Sequence, residues 1–204
     1  MLKNYGVFVT AAKPQPKALN RAFLLIQDFE HADYPEDSHW TLITSKEAPS
    51  DVPPATVLPI PDISDNNAFT LSSMAEINTF IRENEDLMTK MGVSSSDWLI
   101  IDQKGFETST CLVCEQIYKL EVGRTREFRA CRLPYEEASS MIVNLDMANM
   151  DFEDFVDEDA GEQEDGSWMW MSFPPSTKDT EEESEGEAKR EVALKELRDG
   201  GYAD

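Results

Sequence analysis

Residues 144–155 read Asn144-Leu145-Asp146-Met147-Ala148-Asn149-Met150-Asp151-Phe152-Glu153-Asp154-Phe155, a stretch that closes one helix, caps another and turns two aromatics inward. Asn149 is one of the few non-glycine residue types tolerated in the left-handed conformation, so it is expected to end the helix before it. Asp151 is then expected to accept the N–H of Asp154 as the N-cap of the next turn, with Phe152 and Phe155 packing inward. Upstream, Pro134 opens the helix where its missing N–H costs nothing. Ala138, Met141, Ile142 and Leu145 mark the buried stripe of that helix.

Working outward, Trp98-Leu99-Ile100-Ile101 is an apolar run that reads as the central strand, after a turn at Ser94-Ser95-Ser96-Asp97 and before a break at Gly105. Residues 110–117 and 127–132 follow as two more strands, joined by a turn at Glu121-Val122-Gly123-Arg124. The second alternates outward Glu127, Arg129 and Cys131 with inward Phe128 and Ala130. Residues 167–173 are expected as a last strand, closed by Pro174-Pro175. Before the central strand, Ser72 or Ser73 caps a helix whose Met74, Ile77, Phe80, Ile81 and Leu87 fall near a 3.6-residue period up to Lys90, with Gly92 at its end.

Nearer the N-terminus, Ala22 to Ile26 is expected as a first core strand, and residues 39–46 as a short helix capped by Asp37 or Ser38. Any strand at Thr56-Val57-Leu58 is short and at an edge, because prolines surround it. Residues 5–12 hold a short strand followed by the Pro-rich joint Lys13-Pro14-Gln15-Pro16-Lys17. The expected organisation is an extension over 1–21, an α/β (α+β) domain with a mixed sheet over 22–173, and a disordered acidic tail over 174–204.

The chain carries a formal net charge of -23, and residues 146–204 hold 20 Asp and Glu against 5 Lys and Arg. Such a balance repels phosphate backbones and anionic lipid while attracting basic partners, so neither nucleic acid nor membrane is an expected target. Three cysteines do not make a disulfide framework, and no run reaches the length of a membrane-spanning helix. These features point to a cytoplasmic protein.

Glu121-x-Gly123-Arg124, then Phe128-Arg129 and Pro134, followed by N-L-x-x-A-N-M-D-F-x-x-F over 144–155, resemble a family of small, mostly bacterial, uncharacterised domains. The resemblance implies an Asp-rich turn and a final aromatic strand, matched in kind by residues 157–165 and Trp168, with a longer acidic turn here. It spans 98–173 well and 22–90 only in topology. It implies no activity, substrate or cofactor.

The chemistry-bearing residues are few. Asp102, at the end of the central strand, stands where α/β proteins place functional carboxylates, and also where a turn needs a cap. Arg124 and Arg129 are basic exceptions that can bind an anion or pair internally with Glu121 or the acidic segment. Asn149 and Asp151 complete the candidate binding set, with no catalytic residue assigned. From Asp157, the sixth and twelfth positions are Glu162 and Trp168, which fails the EF-hand pattern, so no metal is expected. Cys111-x-x-Cys114 has redox spacing on a strand, where residues three apart face opposite ways, so no redox pair and no cofactor are expected. His31 and His39 come without a nucleophile or phosphate-loop motif. The expectation is a non-enzymatic acidic module binding a basic protein partner, in the manner of an inhibitor or immunity protein. The rival is an enzyme with a carboxylate site near Asp102 and Asp151.

Overall fold

In the computed structural model, which describes residues 4–32, 34–47, 51–172 and 180–204, the run Val7-Phe8-Val9 is fully buried on both sides. It belongs to β1 (Asn4–Val9), which pairs in parallel with β2 (Trp40–Leu42) on one side and β3 (Val93–Ile101) on the other. The segment expected as an extension therefore supplies a central strand. β3 runs antiparallel to β4 (Thr110–Lys119), which forms a hairpin with β5 (Gly123–Pro134). β6 (Trp168–Met169) lies parallel to β5, giving a six-stranded mixed sheet in the order β2-β1-β3-β4-β5-β6. This is an α/β fold, as expected.

Parallel neighbours cannot be joined by a hairpin, so helices cross over the sheet. α1 (Pro16–Leu25) links β1 to β2, and α2 (Met74–Glu83) with α3 (Glu85–Lys90) links β2 to β3. α1 packs Leu19 and Phe23 with Val7, Val9 and Leu99, on the face also covered by α5 (Ala138–Asp146). α2 and α3 pack Ile77, Phe80, Ile81 and Met88 with Phe8, Trp98 and Ile100 on the opposite face.

Four expectations along the crossovers are corrected. Ala22 to Leu25 is helix, not strand, with Ile26 as its C-cap: Leu19, Ala22, Phe23 and Ile26 share one face, and Pro16 sits in the first turn. A five-residue apolar run alone does not distinguish the two periods. Trp40–Leu42 is strand where a helix was expected, since its aromatic and β-branched residues fit a pleated surface better than a helix. Residues 56–58 form no strand, although Thr56 donates its N–H to the Trp40 carbonyl at 2.7 Å and accepts the Leu42 N–H on its hydroxyl at 2.8 Å. Residues 94–97 lie within β3 as a bulge: Asn4 pairs with Val93, but Gly6 already pairs with Trp98. The Ser94 hydroxyl accepts the N–H groups of Ser96 and Asp97, so turn chemistry persists inside the strand.

Other readings hold in outline. Ser73 and Glu76 form a reciprocal capping box at the start of α2, but the helix breaks at Asn84 before α3. The β4–β5 turn is closed by Gly123 at a φ of 74°. Gly105 does not end the chain's regular structure. It lies in α4 (Gln103–Thr108), where an added Cβ would meet the Thr110 carbonyl oxygen at 2.4 Å. A 3₁₀ turn at Tyr135–Glu137 precedes α5, which buries the expected stripe. Its end differs by one residue: Ala148, not Asn149, is left-handed, with a φ of 50°. Asn149 instead donates its N–H to the Asn144 carbonyl at 3.0 Å, while Ala148 donates to Leu145, the paired bonds of a Schellman ending. The last strand is shorter than expected, with Trp170 making only a bridge to Val156.

The expected domain end at Phe173 to Pro175 lies outside the described residues. Beyond it lies α6 (Thr180–Asp199), helical across 187–198, where the sequence allows a lone helix within an otherwise disordered acidic tail. Leu194 and Ala203 are buried with Leu24 and Phe29, and Lys17 pairs with Asp204 at 2.9 Å. One apolar anchor in an otherwise charged helix leaves little periodic signal in the sequence. Leu194→Ala is expected to lower stability by about 2 kcal/mol, the lower end for truncating a buried leucine. Denaturant unfolding measures it, and an unchanged midpoint shows that α6 does not dock in solution.

Candidate functional site

The order β2-β1-β3 sends the first crossover to one face and the second to the other, opening a crevice at the carboxyl ends of β1 and β3. Thr10, directly after β1, and Asp102, directly after β3, both line a cleft there of about 480 Å³. Asp102 caps α4 by accepting the Gly105 N–H at 2.7 Å. Its carboxylate also takes both terminal nitrogens of Arg132, at 3.1 and 2.6 Å. This bidentate geometry is the strong form of the pair. Arg132 stands opposite Leu112 on β4, which turns its side chain to the α2 face, where only 11 % of it is exposed. Burial opposes its charge, but the Asp102 carboxylate outweighs that and holds the guanidinium firmly protonated.

Asp165 lies 3.6 Å from Arg132 and 3.1 Å from the Lys104 ammonium. Desolvation pushes its carboxyl up, yet hydrogen bonds from the Ser167 hydroxyl and N–H and the charge of Lys104 prevail, leaving it at about 2. Among the described residues, every carboxylate with a resolved shift moves down: Asp62, Glu76 and Asp165. A general acid requires the opposite.

The remaining candidates sit elsewhere. Arg129 points to the α1/α5 face, pairs with Glu115 at 2.8 Å and with Glu153, and lies 4.5 Å over the Phe152 ring. Arg124 belongs to β5 opposite Tyr118, and its side chain lies outside the described residues. Asn149 donates from its side-chain amide to the Asn144 side-chain oxygen at 2.7 Å. Asp151 precedes the 3₁₀ turn Phe152–Phe155 and donates its N–H to the Asp154 carboxylate at 2.9 Å, while Asp154 donates back to the Asp151 carbonyl at 3.0 Å. Phe152 and Phe155 are buried on the α1/α5 face. Asp102 and Asp151 therefore serve opposite faces of the sheet and do not converge. Sequence reading named Asp102 but missed Arg132, whose significance depends on a partner thirty positions away and two strands over.

Cys111 and Cys131 lie in the α1/α5 core and Cys114 in the other, as the strand alternation requires. Burial pushes all three thiols up, Cys131 to about 12, which leaves them protonated and inert. His39 packs against Tyr5 and Trp40, and burial holds it below its ordinary value, so it is neutral. Its Nε2 meets the Ser139 hydroxyl at 3.3 Å, but Ser139 is buried within the first turn of α5, where its role is to anchor helix to strand. Among the described residues, no group of three His, Cys, Asp or Glu side chains could hold a metal, and no helix is long and apolar enough to cross a membrane.

A second concavity is wider and polar. Asp28 and Glu30 after α1, Glu136 and Glu137 before α5, and Glu187 on α6 line a groove of about 760 Å³. Among the described residues Arg190 is the one Lys or Arg lining it, and its guanidinium lies 5.8 Å over the Phe29 ring.

Residues 31–167 match the family described as Domain of unknown function (DUF6924), and the chain belongs to that family. No curated protein and no solved structure matches the chain.

Two outcomes follow from the ion pairs. Asp102→Ala strips Arg132 of its main partner and α4 of its cap, and is expected to cost about 2–4 kcal/mol by denaturant unfolding. A neutral substitution would show that the pair is dispensable. Asp165 titrates from 3.8 in its ordinary state to about 2 when folded, so the native state binds that proton less readily. Its contribution is complete above about pH 4 and is lost as pH falls toward about 2. Asp165→Asn is expected to flatten that part of the stability profile, and an unaltered acid limb would count against it.

Proposed function

We propose that this member of an uncharacterised family is a non-enzymatic acidic interaction module whose partner is a basic protein, as for an inhibitor or immunity protein. The observation that carries the reading is the groove lined by Asp28, Glu30, Glu136, Glu137 and Glu187. Arg190 is set against five carboxylates there, and other cations of the fold are engaged elsewhere. Arg129 pairs with Glu115 and Glu153, Arg132 with Asp102, Lys104 with Asp165 and Lys119 with Glu127. Cations held in local ion pairs leave the groove carboxylates to set a negative field that steers a basic chain toward them. The rival reading, an enzyme with a carboxylate site near Asp102 and Asp151, needs two groups that sit on opposite faces of the sheet.

A fluorescently labelled arginine-rich peptide serves as the probe. Its affinity is expected to fall at least roughly tenfold between about 50 and 200 mM salt, because exposed charges are screened over that range. Glu136→Gln combined with Glu137→Gln is expected to weaken binding further, measured by anisotropy. Salt-independent binding would overturn the reading and move the interface to the apolar surface around Trp168 and Trp170.

A further inference from the structure

α6 meets the body of the domain along one stripe. Gly186, Arg190 and Leu194 are spaced four apart and so share a helical face. At Gly186 the helix runs so close to the turn after α1 that an added Cβ would meet the Glu30 side chain at 2.7 Å and the Glu30 backbone nitrogen at 3.4 Å. At the other end Leu194 is anchored among Leu24, Phe29 and Ala203. An apolar side chain between these two contacts would complete the stripe of a docked helix. The chain places Arg190 there instead, and that arginine lines the acidic groove.

Arg190 is held loosely in its place. Its guanidinium lies 5.8 Å from the centre of the Phe29 ring, near the outer limit of a cation–π contact. It joins no salt bridge among the described residues, and its Nε is buried without a hydrogen-bond partner. Moving out to water would satisfy that donor and break no ion pair. The groove keeps charge in reserve as well. Glu30, Glu136 and Glu187 line it and join no salt bridge among the described residues, whereas Asp28 already accepts the N–H groups of Glu30 and His31 at 2.9 Å.

We infer that α6 carries a built-in competitor: Arg190 holds the place in the acidic groove that an arginine of the basic partner takes when it binds. The inference rests on the groove being the partner's site, as proposed above. The incoming guanidinium takes over the Phe29 ring face and enters among Glu30, Glu136 and Glu187, while Arg190 turns to solvent on a helix still anchored at Leu194. A planar guanidinium stacks on an aromatic face as a compact ammonium does not, so the groove selects arginine over lysine. Because Arg190 and the partner exclude one another, the contact is autoinhibitory and keeps weakly basic chains out.

The test uses the full chain and two labelled peptides of equal length and charge, one alternating arginine with glycine and the other lysine with glycine, read by anisotropy at low salt. Arg190→Gln is expected to bind the arginine peptide about three- to tenfold more tightly than the wild type, the scale of one lost cation–π contact and one relieved repulsion. Lys189→Gln removes the same charge one residue away, from a side chain paired with Glu185 at 3.2 Å, and is expected to change the affinity by less than about twofold. In the wild type the Arg190 Nε–H resonance, identified by its loss in Arg190→Gln, is expected to shift as the arginine peptide saturates. If that peptide binds neither the wild type nor Arg190→Gln, the acidic-groove reading fails and the competitor with it. If the two bind alike, if Lys189→Gln gains as much, or if the lysine peptide binds as tightly, the groove reading stands and this inference alone is overturned.

Discussion

The parallel pairing of β1 with β3 is the constraint from which the rest of the architecture follows. Val7, Phe8, Val9, Leu99, Ile100 and Ile101 are almost wholly removed from water, so both faces of the sheet must be covered. Chain direction then forbids a tight turn between parallel neighbours and demands helical crossovers. With β2 outside β1, one crossover covers each face, and the loops after β1 and β3 part from one another. The crevice bearing Thr10 and Asp102 is therefore a by-product of strand order.

Much of this was legible where chemistry is local. Trp98 to Ile101 announced a buried strand, Gly123 the hairpin, and Ser73 with Glu76 the reciprocal cap that begins α2. The reading failed where one local signal fits two structures. Ala22 to Ile26 satisfies a buried strand and a helix face equally, and Asp37 and Ser38 look like a helix cap although they lead into β2. Asp102 could be named from its place after a strand, but its tie to Arg132 could not, because strand register and not sequence spacing brings the two together. The role of Leu194 was hidden for a related reason: a single anchor has no period.

Charge is distributed by the same logic. Two partly buried arginines divide between the faces, Arg132 toward α2 and Arg129 toward Phe152, and each pairs with two carboxylates, while the more deeply buried Arg82 pairs with Glu85. Each partly buried cation thereby draws two negative groups inward, which offsets desolvation at both. Carboxylates outnumber cations where the end of α1, the start of α5 and α6 meet.

The central place of β1 also governs the order in which the chain can assemble. Val7 pairs with Leu42 and with Leu99, so β1, made before the other strands of this sheet, has one neighbour within reach and waits about ninety residues for the other. Until β3 emerges, Val7, Phe8 and Val9 form an apolar strand with an open edge, the kind of segment that invites pairing with other chains. A protein built this way depends during synthesis on early docking of α1 over β1, or on a chaperone holding that edge, more than a protein whose sheet grows outward in chain order.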